Sequence, residues 1–181
     1  MLYKDEILLE KAYHSIYEDN NPFKPASEDD IKDRKKHQIR LDNQKVQDYI
    51  KNGSVGDLDL TGAAIKSLPD DLKVGGELEL AESAIQYLPD NLTVGRSLNL
   101  EESDIKELPA GLTVGVSLYI DFTSITSLPN NLTVGGSIWA QYSSLANVGM
   151  NIEVGDRINI DSAVFDEFPP HLRHKIVHRD N

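Results

Sequence analysis

The segment between residues 55 and 174 repeats every twenty residues, and no other feature restricts the fold of this 181-residue chain as strongly. Six columns of apolar side chains keep their register through the segment. The first column consists of Leu58, Leu78, Leu98, Leu118, Ile138 and Ile158. The other five begin at Leu60, Ile65, Leu68, Leu72 and Val74. We therefore expect one structural unit that is stacked about six times.

Each column predicts a local conformation. The pair Leu58-x-Leu60 has a period of two, so both side chains point to one face of a short strand. The step Leu68-Pro69 stops a helix, and the glycine after Val74 permits a turn. A single repeat cannot bury its apolar side chains alone, whereas stacked repeats cover one another. The pattern therefore predicts a solenoid with a parallel sheet along one side.

The strand pattern with Leu-Pro-x-x-Leu after it resembles leucine-rich repeats, and Leu88-Pro-Asp-Asn-Leu92 resembles the short bacterial and phage type. The resemblance implies an α/β solenoid with a concave parallel sheet that binds other proteins. The position usually held by Asn is different here and predicts a weaker hydroxyl ladder; it holds Ala63, Ser83, Ser103, Thr123, Ser143 and Ala163. Some related effectors carry a Cys-dependent ubiquitin ligase, an activity that a chain without Cys cannot have.

A pentapeptide-type β-helix is the alternative fold, because twenty is four times five. Leu60 and Ile65 fit that count. The Pro and Gly columns recur only every twenty residues and do not fit it.

The segments before and after the repeats have a different composition and predict terminal caps. We expect a helical cap over residues 1–54, the solenoid over 55–174 and a cap or tail over 175–181. Amphipathic spacing predicts a helix over residues 2–18. Ser27 predicts the start of a second helix toward Leu41, and Asp42 the start of a third through Ile50. In the tail, His171, His174 and His178 would share one face of a helix, with metal binding as the less favoured interpretation.

The net charge of −12 belongs to the repeats. Residues 56–170 hold 5 basic and 18 acidic side chains, and residues 171–181 hold 3 basic and 1 acidic. An acidic surface argues against direct binding to nucleic acid or to anionic membranes. No apolar run reaches the length of a membrane span, and residues 1–20 carry no secretory apolar stretch.

Residues between the inward-pointing leucines should lie on the outward face of the sheet, which solenoids commonly use for binding. Acidic residues crowd the first three repeats, and Tyr119, Phe122, Trp139 and Tyr142 cluster in the fourth and fifth. The candidate partner-binding residues are Asp57, Asp59, Glu77, Glu79, Glu82, Asn99, Glu101, Glu102, Tyr119, Asp121, Phe122, Trp139, Gln141, Tyr142, Arg157 and Asn159.

The sequence therefore favours a non-enzymatic adaptor or inhibitor of bacterial or phage type that binds a protein with a basic surface. We expect no cofactor, no metal and no catalytic residue, since an open sheet excludes little water, and we expect the cytoplasm of a bacterium or of a host cell. The alternative function is that of a nucleic-acid mimic, whose carboxylates imitate phosphates and inhibit a nucleic-acid-binding enzyme. A purely structural or self-assembling repeat is a third class. The sequence leaves the oligomeric state open.

Overall fold

A 24-residue helix, α1 (Glu28–Lys51), precedes the repeats in the computed structural model, which describes residues 26–70 and 72–178. Ser27 caps it: the Asp30 N–H donates to the Ser27 hydroxyl at 3.1 Å, and the Ser27 N–H donates to the Asp30 carboxylate at 3.0 Å. This reciprocal pair satisfies donors that the first helical turn leaves free. The predicted helix start at Ser27 is confirmed, and the helix predicted over residues 2–18 lies outside the described residues.

The predicted helix boundary at Asp42 is wrong, because α1 continues through it. The Asp42 carboxylate is turned away from its own helix backbone. It accepts a hydrogen bond from the Gln38 amide at 2.7 Å and another from the Ala64 N–H at 2.7 Å. A side chain that is occupied in this way does not compete with the helical hydrogen bonds that would otherwise be interrupted.

Among the described residues, 26–37 belong to one compact unit, and 38–70 and 72–178 belong to another. The described helical part of the first unit, 28–37, exposes all its side chains. In the second unit, the rest of α1 packs on the first repeat through Val46, which is fully buried, and through Ile39 and Tyr49.

Seven short parallel strands form the main sheet, in the order β1-β3-β5-β7-β10-β13-β14. They are β1 (Leu58–Asp59), β3 (Leu78–Glu79), β5 (Leu98–Asn99), β7 (Leu118–Tyr119), β10 (Ile138–Ala140), β13 (Ile158–Ile160) and β14 (Ile176–His178). The first six pair at intervals of twenty residues, and we number the turns of the solenoid one to six from them. This confirms the predicted parallel solenoid of about six turns with a helix before it.

Two further ladders lie along other sides of the same turns. A five-stranded sheet contains β2 (Lys73–Val74), β4 (Thr93–Val94), β6 (Thr113–Val114), β9 (Thr133–Val134) and β12 (Glu153–Val154). A two-stranded sheet contains β8 (Ser127–Leu128) and β11 (Asn147–Val148), and a single bridge joins Ser67 to Tyr87. Within the first turn, the paired segments start at positions 58, 67 and 73, and the next turn starts at position 78. These intervals are unequal, whereas a pentapeptide β-helix repeats every five residues.

The core fills the inside of the turns with the six predicted columns. Leu78, Leu98, Ile105, Leu118 and similar side chains are inaccessible to solvent. Each turn thus covers the apolar side chains of the next, as stacked repeats require.

The glycine column after Val74 serves close packing rather than a left-handed turn. Gly75, Gly95, Gly115, Gly135 and Gly155 lack positive φ angles. A Cβ on Gly115 would overlap the carbonyl oxygen of Gly95 in the preceding turn, and the same holds along the column. The turns approach one another here too closely for any side chain.

The hydroxyl column bonds within its own turn. The Ser83, Ser103, Thr123 and Ser143 hydroxyls each donate to the carbonyl oxygen three residues earlier, at 2.6–2.8 Å. The contacts that link neighbouring turns here are backbone bonds, such as Asp104 N–H to Ser83 O at 3.0 Å. These four side chains therefore fix the corners of turns two to five without forming a ladder of their own.

The end of the chain continues the sheet, and the helix predicted to align three histidines is absent from the described residues. A short 3₁₀ turn (Arg173–Lys175) leads into β14, which pairs with β13. The Lys175 ammonium donates to the carbonyl oxygens of Val154 (2.5 Å) and Gly155 (3.0 Å). The tail thus covers the last turn, with residues 179–181 outside the described part.

Candidate functional site

The outward residues of the seven-stranded sheet form one row across the molecule, which we call the sheet face. The strand pairing places its central positions side by side: Asp59, Glu79, Asn99, Tyr119, Trp139, Asn159 and Val177. In this row Asp59 and Glu79 are acidic, Asn99 is neutral, and Tyr119 and Trp139 are aromatic. The strand register therefore places the acidic and the aromatic residues of the row in different turns.

The acidic residues on and beside the strands of turns one to three form what we call the acidic half of the sheet face. They are Asp57, Asp59, Glu77, Glu79, Glu82, Glu101 and Glu102. Two cationic side chains lie close to these carboxylates. Lys45 of α1 lies 3.9 Å from the Asp59 carboxylate, and Arg96 lies 3.2 Å from that of Glu77. Among the described residues no other Lys or Arg forms an ion pair with this group. The acidic half therefore keeps a net negative charge.

Hydrogen bonds and burial act in opposite directions on individual carboxyls. The Thr61 N–H and hydroxyl donate to Asp59 at 3.0 and 2.8 Å and lower the pKa of that carboxyl. Burial raises the pKa of Glu101, and the neighbouring Asp121 carboxylate raises it further. Burial also raises the pKa of Asp121, although hydrogen bonds from Gln141 and Glu101 oppose this. Glu101 and Asp121 are therefore neighbouring carboxyls, and burial raises the pKa of both.

The aromatic half comprises Tyr119, Phe122, Trp139 and Tyr142, which form two stacked pairs. The rings of Tyr119 and Trp139 lie 6.2 Å apart between centroids, and those of Phe122 and Tyr142 lie 4.8 Å apart; in both pairs the planes differ by 10°. Phe122 is 56% exposed, Tyr142 54% and Trp139 37%. Two adjacent turns therefore present a patch of accessible aromatic surface.

The corner that follows each of the first five strands of the main sheet adopts the left-handed conformation. Gly62 holds this position in turn one with φ of 66°, and Glu82, Glu102, Phe122 and Tyr142 hold it in the next four with φ of 54–56°. Glycine adopts this conformation without strain, while a residue with a Cβ loses roughly 1–2 kcal/mol. Aromatic residues at this corner are therefore not a requirement of the fold.

Two of the predicted binding residues are buried. Asp121 is 8% exposed, and its carboxylate accepts a hydrogen bond from the Gln141 N–H at 2.5 Å. Asn159 is 6% exposed, lies between Trp139 and Val177 in the row, and donates its amide to the Ile138 carbonyl at 3.4 Å. Both side chains bond to the backbone of neighbouring turns and offer little surface to a partner. Gln141 is half-buried and Arg157 is exposed.

The structure adds Val177, which is 42% exposed, to the apolar end of the sheet face. Its strand pairs with β13 at an interval of eighteen residues instead of twenty. The twenty-residue columns therefore do not include Val177. Only the alternation Ile176-x-His178 after the last repeat indicates a strand.

Two grooves lie away from the sheet face. One of about 640 Å³ is lined by Ile50, Leu72, Lys73 and Thr93 among others, and one of about 870 Å³ by Met150, Glu153, Phe168 and His171 among others. Neither contains any of the predicted binding residues.

In the described part of the chain, no group of three or more His, Cys, Asp or Glu side chains is arranged to hold a metal ion. Within residues 26–70 and 72–178, none of the helices combines the length and the apolar character needed to cross a membrane. No protein-family model, no curated protein and no solved structure matches the sequence or the fold of this chain.

Proposed function

We propose that this protein is a solenoid of the short leucine-rich-repeat type that binds another protein through its sheet face, without enzymatic activity. The repeat pattern and the parallel turns support the family assignment. The cytoplasm, of a bacterium or of a host cell, is the compartment that we propose for it.

The observation that carries the proposal is the stacked pair of Phe122 and Tyr142. Both residues are more than half exposed, and both hold the left-handed corner at which Gly62 serves in turn one. They thus combine a backbone cost with partly exposed aromatic surface. Strain that the fold does not require indicates a functional role, and exposed aromatic residues are typical anchors of protein interfaces.

The acidic half defines the chemistry of the partner. Glu79, Glu82, Glu101 and Glu102 form no ion pair among the described residues. Their field attracts a basic surface and accelerates association at low ionic strength. A basic protein with an apolar contact region therefore complements the sheet face, with the acidic half orienting it and the aromatic half anchoring it.

Replacement of Trp139 by Ala tests this function. The tagged protein captures its partner from a bacterial lysate, and the Kd of the purified pair is then measured by calorimetry. Loss of an interface anchor costs about 2 kcal/mol or more, so the Kd of Trp139→Ala should rise roughly 30-fold.

Tyr87→Ala is the matched control, because Tyr87 is 52% exposed but lies on the bridge with Ser67, outside the sheet face. We expect its Kd to equal that of the wild type. An unchanged Kd in a folded Trp139→Ala variant would sink the proposal.

The nucleic-acid-mimic function is the weaker candidate. Acids occupy the central row only at Asp59 and Glu79, and the row then continues with Asn99 and Tyr119. In the same assay, the captured partner would be a nucleic-acid-binding enzyme if the mimic function is right. Duplex DNA would then compete with this protein for the enzyme.

A further inference from the structure

The ring of Phe122 stacks on Tyr142 through one face, with the centroids 4.8 Å apart. This distance equals the spacing of neighbouring strands, about 4.8 Å, so the rings stack in the direction in which the turns follow one another. Tyr142 of turn five covers one face of Phe122. The opposite face is directed toward turn three, and more than half of the residue remains exposed.

Glu102 holds in turn three the position that Phe122 holds in turn four. Their φ angles are 55° and 56°. Each N–H donates to a carbonyl of the next turn, Glu102 to Asp121 at 3.3 Å and Phe122 to Gln141 at 3.2 Å. The two side chains therefore leave the backbone in the same direction, and Glu102 lies on the side of the ring face that does not contact Tyr142.

The second stack repeats this arrangement on the strands. Tyr119 stacks on Trp139 of turn five, and on its other side it pairs in register with Asn99 of turn three. Glu101 follows Asn99 by two residues, and the Glu101 N–H donates to the Asn99 side chain at 3.0 Å. At the boundary of turns three and four, the rings of Phe122 and Tyr119 therefore face the turn that carries Glu101 and Glu102.

We propose that this boundary binds an arginine side chain of the protein partner, with the guanidinium stacked on Phe122 and hydrogen-bonded to Glu102 and Glu101. The proposal rests on the function proposed above and specifies the group that the sheet face recognises. Among the described residues, no Lys or Arg of the chain itself forms an ion pair with either glutamate.

A guanidinium fits this boundary better than an ammonium does. It is planar, so it lies flat on an aromatic ring while its edge donates to carboxylates, and it is weakly hydrated. The lysine ammonium is compact and strongly hydrated, and it gains less from a flat ring face. The boundary should therefore distinguish arginine from lysine, whereas acidic side chains alone would attract both.

Titration of the full chain with blocked Gly-Arg-Gly and Gly-Lys-Gly peptides tests the proposal by NMR. We expect the arginine peptide to shift the Glu102, Phe122 and Tyr142 resonances and to bind more tightly than the lysine peptide. Phe122→Gly should weaken arginine binding about two- to fivefold, the range of an exposed cation–π contact. Because Gly62 serves at the same corner in turn one with φ of 66°, this variant should keep the fold.

Glu102→Gln and Glu82→Gln form the matched pair of charge variants. Both residues occupy the left-handed corner, with φ of 55° and 56°, but the neighbours of Glu82 at this corner are Gly62 and Glu102 instead of an aromatic residue. We expect Glu102→Gln to weaken arginine binding more than Glu82→Gln does, because only Glu102 borders the Phe122 ring. Equal binding of both peptides, or equal losses in both variants, would overturn the proposal in favour of simple charge attraction.

The two proposals can fail separately. A partner that is lost with Trp139→Ala but is bound normally by Phe122→Gly and Glu102→Gln would leave the binding function intact and refute the arginine site. A partner that Trp139→Ala binds with unchanged affinity would refute the proposed function itself.

Discussion

Glu101 and Asp121 hold equivalent positions in neighbouring turns, and both have a pKa above the usual value, mainly through burial. A carboxyl with a raised pKa binds protons more strongly in the folded state than in the unfolded state. Its contribution to stability is therefore complete at low pH and is lost as the pH rises through the raised pKa. Asp59, whose pKa is lowered, has the opposite effect and loses its contribution as the pH falls.

Glu101→Gln should consequently raise the free energy of unfolding above neutral pH. The variant removes the repulsion from Asp121, and like charges on neighbouring strands cost about 0.2–1 kcal/mol. The gain should shrink as the pH falls through the raised pKa, where the wild type is itself protonated. Urea unfolding at several pH values measures this. Glu107→Gln, at an exposed site, is the control, and a gain that does not change with pH would contradict the prediction.

At the same scale, the sequence predicted which side chains border one another but not how accessible they are. A fixed interval of twenty places Tyr119 beside Trp139 and Asp59 beside Glu79. Asp121 and Asn159 belong to the same outward positions but are buried, because each bonds to the backbone of a neighbouring turn. Periodicity contains no information about such bonds.

At the scale of the element, the five-stranded sheet depends on a glycine directly after each of its strands, although glycine has a low propensity for strands. Gly95, Gly115 and Gly135 follow the strands of the five-stranded sheet and touch one another through their backbones. The sequence indicated the column and attributed it to a turn. The structure shows that the requirement is the close approach of consecutive turns.

Gly115→Ala should therefore destabilise the solenoid, because its methyl group would overlap the Gly95 carbonyl. Overpacking of this kind costs about 1–3 kcal/mol, and backbone atoms cannot move aside as a side chain can. Thermal and urea unfolding measure the loss. Val116→Ala, at the adjacent residue that is 46% exposed, should stay within about 0.5 kcal/mol of the wild type. Equal stabilities of the two variants would refute this explanation of the column.

At the scale of the whole molecule, a stack of turns is stable only if both ends are covered. The C-terminal part of α1 covers turn one through Val46 and through the hydrogen bond from the Ala64 N–H to Asp42. At the other end, β14 and the Lys175 ammonium cover turn six. The two ends use different chemistry for the same requirement.

Asp42→Ala should loosen turn one and leave the distant turns protected. The change deprives the Ala64 N–H of its acceptor, and an unsatisfied buried donor costs about 1–3 kcal/mol. In a solenoid such a loss stays near the end where it occurs, since each turn contacts only its neighbours. Hydrogen exchange should accelerate over residues 58–70 and remain slow over residues 118–134.

Asp48→Ala is the control for that experiment, because Asp48 is exposed and, among the described residues, bonds to the nearby Gln44 and Lys51 within α1. Faster exchange through all six turns in Asp42→Ala would contradict a local role for the cap.

The sequence by itself determined the twenty-residue turn, the buried columns, the parallel register and the change from acidic to aromatic side chains along the sheet face. All of these follow from a period, and a period fixes which residues become neighbours. Only the tertiary structure decided the rest: the unbroken helix through Asp42, the left-handed corners of Phe122 and Tyr142, the burial of Asn159 and the seventh strand. These depend on distances between individual atoms of different turns, which a repeating pattern of residue types does not contain.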